Sequence, residues 1–219
     1  VYKRQAQAEA LSVEHPELTA VKLDVTDSGD VARVAEIDPD VLINNAGFGV
    51  MAPLAHVPLE RLKAGFDVNV FGMVAVTQAA IPGMKAKGAG RVINMSSVAG
   101  VLSGPMTAPY AMTKHAVEAF STALRDELAP YGIDVTKLNP GPYDTGFNDA
   151  MVNGIAGYIE DGDAPAAAAE EFVRAIVLTD QLDPDEVVQT MADLAEADET
   201  PAETFLPTGI KEMLRSALD

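Results

Sequence analysis

Apolar positions along the chain fall into two kinds of run. Short, nearly continuous apolar runs suit strands buried on both faces, and longer stretches with apolar residues three and four apart suit helices. The first short run is Thr19–Asp24, a predicted strand that ends on an acid. A helix is predicted over Gly29–Ile37, with Ser28 as its N-cap, Asp30 in its first turn and Asp38-Pro39 as its breaker. Asp40–Asn44 reads as a buried strand that runs into the polar turn Asn44-Asn45-Ala46-Gly47-Phe48-Gly49. Leu59–Met84 is a long helical pattern with Asn69 in its middle and Pro82 near its end. Arg91–Met95 is the next strand, and Thr107–Ala129 the second long helix, closed by Pro130 and Gly132. Ile133–Leu138 is a further strand, running into Asn139-Pro140-Gly141-Pro142.

The ends of the chain are less regular. Val1–Gln5 has no hydrophobic pattern and is set aside, and Gln7–Val13 reads as a short helix closed by His15-Pro16. Beyond Thr145 a glycine-interrupted stretch, 148–160, reads as a loop with helical turns. Pro165–Leu178 is an alanine-rich helix, and a second helix opens at Asp183-Pro184-Asp185-Glu186 and runs to about Ala197. A last strand over Glu203–Pro207 and a last helix over Ile210–Leu218 complete the pattern. Strands that alternate with helices predict an α/β fold: a doubly wound parallel sheet in a three-layer α/β/α arrangement. At 219 residues the chain suits one domain, 1–219.

Composition narrows the chemistry. There is no cysteine, so no disulfide framework and no thiolate metal site; His15, His56 and His115 show no metal-ligand spacing. Net charge is −18, which makes nucleic acid an unsuitable partner. Residues 1–145 carry 16 acids and 12 bases, whereas residues 146–219 carry 17 acids and 3 bases. That acidic region is either a solvated surface or a field that disfavours anionic substrates. No apolar run approaches the ~20 residues of a membrane span and no signal peptide is visible, so the expectation is a cytoplasmic protein with no membrane partner.

The candidate chemistry gathers at strand ends, where open parallel sheets bind ligands. Asp24, Asn44–Gly47, Ser97 and Pro140–Gly141 all fall there. Tyr110 and Lys114 lie four apart on one helix face, so an ammonium can sit beside a phenol and lower its pKa. Such a pair alone is most often ordinary helix surface. Ser97, thirteen residues upstream, can bring a hydroxyl to the same place.

Five motifs in order resemble the short-chain dehydrogenase/reductase (SDR) family, classical branch: Asn44-Asn45-Ala46-Gly47, Asn69 in Asn-Val-Phe-Gly, Ser97, Tyr110-x-x-x-Lys114, and Pro140-Gly141-x-x-x-Thr145. The resemblance covers roughly Val21 to Thr145. It implies a Rossmann-like fold and an NAD- or NADP-dependent oxidoreductase that interconverts an alcohol and a ketone or aldehyde. Tyr110 would be the acid or base. Lys114 would lower the phenol's pKa and hold the nicotinamide ribose. Ser97 would hydrogen-bond the substrate oxygen, and Asn69 would bind a water in a proton relay; the plain alternative is a kinked helix with a solvent-facing Asn69. Cofactor contacts would come from Asp24 and Val25 at the adenine, from Asn45, Ala46 and Gly47 along the adenine ribose, from Pro140 and Gly141 at the nicotinamide, and from Thr145 at its carboxamide or the phosphates, with Tyr110 and Lys114. As plain structure, Asn44–Gly47 is a turn and Pro140–Gly141 a strand terminator. Tyr143 stands where the family usually has Ile or Val.

Residues 146–200 would form the substrate lobe, with Phe48, Val50, Val101, Met106 and Phe147 as apolar candidates for a small hydrophobic alcohol or carbonyl substrate. The two long helices are the family's surfaces for homodimers and homotetramers. One part of the family pattern is missing: no Gly-x-x-x-Gly-x-Gly turn precedes Asp24, which reads as an N-terminal truncation. Lys3 and Arg4 lie near the position that selects NADP. The alternative is a cofactor-free protein of the same fold with a binding or regulatory role.

Overall fold

The computed structural model describes residues 5–212. Lys3, Arg4 and most of the predicted last helix lie outside the described residues; 210–212 are helical. Four strands, β1 (Val41–Asn44), β2 (Gly90–Met95), β3 (Ile133–Pro140) and β4 (Glu203–Leu206), pair in that order, all parallel. Before β1 come the helices α1 (Gln5–Glu14) and α2 (Ser28–Ile37), and between the strands lie α3 (Leu59–Phe66), α4 (Met73–Lys87), α5 (Ala108–Leu128), α6 (Phe147–Asn153), α7 (Ala164–Leu178) and α8 (Asp185–Glu196).

Side-chain alternation along the strands assigns the two faces. Val92 and Val135 join Val76, Met84, Leu124 and Leu128 in the core under α4 and α5. Leu138 and Met95 point the other way, onto Val187 and Met191 of α8. Arg91, also on that face, donates to Leu194 O at 2.8 Å and Ala195 O at 3.0 Å, which supplies donors to the last turn of α8. The sheet therefore lies between helices on both faces, as the alternating pattern predicts.

The structure corrects several expectations. Leu23 and Val25 are buried, but the segment 19–24 forms no strand; only Lys22 takes a β-bridge. The Asp24 N–H bonds the Asp30 carboxylate at 2.9 Å instead of a ladder neighbour. Asp27, not Ser28, is the N-cap of α2, accepting from Asp30 N. The long helix continues past Met84 to Lys87 and is broken by a π-turn, Asp67–Gly72. Leu59–Lys87 is 29 residues long and apolar enough to cross a membrane by length and composition. It buries Val76, Ala80 and Met84 against the sheet, as a core helix does.

β1 is not buried on both faces. α8 packs on β2 and β3, through Met95 and Leu138. Ile43 is 39% exposed while Ile93, its partner in register, is 0% exposed. Ile93→Ala should lower unfolding free energy by about 2–5 kcal/mol, a cavity-forming loss. Ile43→Ala should cost far less. Urea denaturation of the two variants checks the contrast, and equal losses would contradict the exposed face.

Candidate active site

The C-terminal strand ends meet at one edge of the sheet. Asn44 Nδ2 donates to Asn94 Oδ1 at 2.8 Å and to Thr77 Oγ1 at 2.9 Å, and Asn94 Nδ2 donates to Ser121 Oγ at 2.9 Å. These buried amides tie β1 and β2 to α4 and α5, so the helix carrying Tyr110 has a fixed register on the strand carrying Ser97. Satisfied buried polar groups specify such a register where apolar contacts tolerate sliding.

Ser97 lies two residues past the end of β2 and caps a short 3₁₀ turn, with its hydroxyl accepting from Ala99 N at 3.1 Å. Tyr110 and Lys114 are both buried on the inner face of α5. Lys114 Nζ donates to Met95 O at 2.7 Å and lies 5.6 Å from the Tyr110 ring centroid. Burial pushes Lys114 down to about 8, and the Glu118 charge one turn on pulls it back up. Burial pushes the Tyr110 phenol well above its ordinary value, and a hydrogen bond with Ser97 opposes that. A downward pull on the phenol thus comes from Ser97, while the Lys114 ammonium is engaged by the Met95 carbonyl.

Asn69 sits in the π-turn and is buried, not solvent-facing. Its amide donates to Phe48 O at 2.7 Å and Thr113 Oγ1 at 2.9 Å, and its Oδ1 accepts from Phe48 N at 2.7 Å. The side chain pins the loop after β1 to α5.

A cavity of about 360 Å³ is lined by Asn45, Gly47, Ser97, Tyr110, Lys114, Pro140, Gly141 and Thr145, together with Tyr143 and residues of α8. The structure does not bring Asp24, Val25 or Ala46 to it. Asp24 accepts from Thr26, Val25 is buried against Gly72, and Ala46 packs on the main core. Tyr143 is held at the wall: its phenol donates to Glu186 Oε2 at 2.6 Å, and burial followed by that carboxylate pushes its pKa up.

A second cavity of about 330 Å³ is mostly apolar, with Met51, Leu102, Met151, Phe172 and Ile176 among its walls. Ser97, Tyr110, Gly141 and Asn148 line both cavities. Of the apolar candidates, Phe147 lines the first cavity and neither cavity is lined by Phe48, Val50, Val101 or Met106. Val50 packs with Ala52 and Val57, Phe48 lies under the Arg61 guanidinium, and Met106 joins Met51 and Met151 in a buried cluster. The walls that sequence reasoning missed include Phe172, Val173, Ile176 and Val177, two overlapping i, i+4 pairs on α7. That stripe was the available signal.

A lysine depressed by burial destabilises the fold while it stays charged, and the penalty disappears as pH rises from about 8 through 10.5. Lys114→Met should therefore raise Tm at pH 7, as replacing a buried charge by an apolar group often does. The difference from wild type should narrow between pH 8 and pH 10. Paired melts across that range check the sign, and a lower Tm for the variant at pH 7 would contradict it.

The sequence profile of the short chain dehydrogenase family matches residues 2–155. An NADPH-dependent 3-dehydrocapnine reductase from Ornithobacterium rhinotracheale is 47% identical over 109 residues, which cover 48% of this chain and 38% of that protein. A short-chain dehydrogenase from Streptomyces avermitilis superposes with a TM-score of 0.83 at 27% identity, covering 100% of this chain and 82% of that one. An NAD⁺-bound xylitol dehydrogenase superposes with a TM-score of 0.77 at 25% identity, covering 93% of this chain and 85% of that one. The chain spans between 38% and 60% of the length of the curated relatives it matches. The chain belongs to the short chain dehydrogenase family.

Proposed function

We propose that this chain carries the proton-transfer centre of an NAD- or NADP-dependent oxidoreductase that interconverts a hydrophobic alcohol and its carbonyl. The observation that carries the reading is the meeting of the two cavities at Tyr110 and Ser97. A cavity carrying Lys114, Asn45 and Thr145 on one side and a more apolar one on the other place the phenol where a cofactor and a substrate would come together. Family membership, the NADPH-dependent relative and the NAD⁺-bound structural neighbour support the cofactor class.

The residues fit the nicotinamide end of such a cofactor. Lys114 is a buried ammonium that makes one hydrogen bond to the protein, to Met95 O, so further donors remain for ribose hydroxyls. Asn45, Gly47, Pro140, Gly141 and Thr145 would wall the same cavity. Among the described residues no glycine-rich turn faces it to take the pyrophosphate. The nicotinamide, when bound, supplies or accepts the hydride.

The chain's own groups handle the proton. The Tyr110 phenol is protonated at neutral pH, as the acid in carbonyl reduction must be; burial weakens it as an acid and the hydrogen bond with Ser97 works against that. Tyr110 would give its proton to the carbonyl oxygen, and Ser97 would hydrogen-bond that oxygen as charge develops there. The Lys114 ammonium would then stabilise the phenolate left behind. In oxidation Tyr110 takes the proton from the alcohol. Asn69 serves by holding the loop after β1. Apolar walls from α7 and Met51 suit a hydrophobic substrate, and exposed Phe71 and Met112 on the long helices are surfaces a second copy would cover.

Tyr110→Phe removes the proton and leaves the cavity walls. Turnover of a hydrophobic ketone with NADPH or NADH should fall by about 10²–10⁴-fold. Cofactor binding, followed by calorimetry, should change little. Turnover equal to wild type in this variant would overturn the mechanism.

A further inference from the structure

α5 carries another ionisable side chain on its inner face, partly rather than fully buried. Glu118 lies one helical turn beyond Lys114. Its Oε1 accepts from Ser96 Oγ, and from Asn139 Nδ2 at 2.6 Å; its Oε2 accepts from Lys137 Nζ at 2.7 Å. Asn139 Nδ2 also donates to Ser97 O at 3.2 Å. The turn over this carboxylate needs glycine: a Cβ on Gly100 would sit 2.8 Å from Ser96 Oγ and 2.9 Å from Glu118 Cγ. With Lys114 bonded to Met95 O, three successive residues at the end of β2 are bound by this one cluster.

We propose that Glu118 is a positioning residue: it fixes Ser96 after β2 and Asn139 of β3 against α5, with its carboxylate one helical turn from Lys114. The purpose of this arrangement rests on the oxidoreductase reading above; its measurement does not. The ionisable groups around Lys114 are Tyr110 and Glu118 on α5 and, behind Glu118, Lys137 on β3. Lys137 is shared with Glu203 of β4 at 3.7 Å, and Lys211 bonds Glu203 in turn. Burial works against the Lys114 charge and Glu118 works for it. Lys137 competes for the same carboxylate, so Glu118 and Lys137 act on Lys114 with opposite sign.

The test is an NMR titration of the Lys114 side-chain resonances in wild type, Glu118→Gln and Lys137→Gln, with the ligand-free full chain. Glu118→Gln should move the Lys114 midpoint down by about one pH unit, the scale of a lost neighbouring charge. Lys137→Gln should move it up, and Glu118→Asp should restore most of the wild-type value. General loosening of the fold cannot produce shifts of opposite sign. An unmoved midpoint in Glu118→Gln, or shifts of the same sign in both variants, overturns the proposal. Where Glu118→Gln does not fold, Lys137→Gln decides: no upward shift overturns it. A wild-type chain that transfers no hydride from NADPH to a ketone would sink the oxidoreductase reading and leave this titration standing.

Discussion

The hydrogen bond from Lys114 to the Met95 carbonyl joins the two halves of the site. It holds a charged side chain of α5 on the last residue of β2, one residue before the serine pair. Burying an ammonium in that place is unfavourable, and the fold offsets it with a carbonyl, a carboxylate one turn along and the packing of a 21-residue helix over the sheet. Remove the helix register and the phenol, the ammonium and the serine hydroxyl no longer share an edge.

The sheet is built to keep that register. Its inner face toward α4 and α5 is apolar in the middle, with Val92, Val135 and Ile133, and polar toward the strand ends, with Asn44, Asn94 and Asn139. Apolar residues supply the bulk of the burial free energy without direction. The amides supply direction, because a buried donor left unpaired is costly. Function sits where the second kind takes over from the first.

Much of this was legible in the chain. Strand ends were visible because apolar runs stop at asparagine, serine, proline or glycine, and Tyr110, Lys114 and Ser97 do converge. What stayed hidden depends on partners far away in sequence. Residues 19–24 have strand composition, but a strand exists only beside another, and the Asp30 carboxylate took the backbone bond instead. The role of Asn69 depends on a loop 21 residues away. The walls from α7 needed that helix folded back over Tyr110. The direction of the Tyr110 shift is set by burial, a property of the assembled fold that an i, i+4 spacing does not encode.

α8 is fastened at both ends. Glu186 near its start holds the Tyr143 phenol, and Arg91 clasps the carbonyls of its last turn. Val187, Val188 and Met191, between those two fastenings, form with Pro184 a wall of the first cavity. A guest entering there meets a surface already in its final shape, so little ordering entropy is charged against its affinity. Selectivity on that side is then a matter of steric fit, decided before the guest arrives.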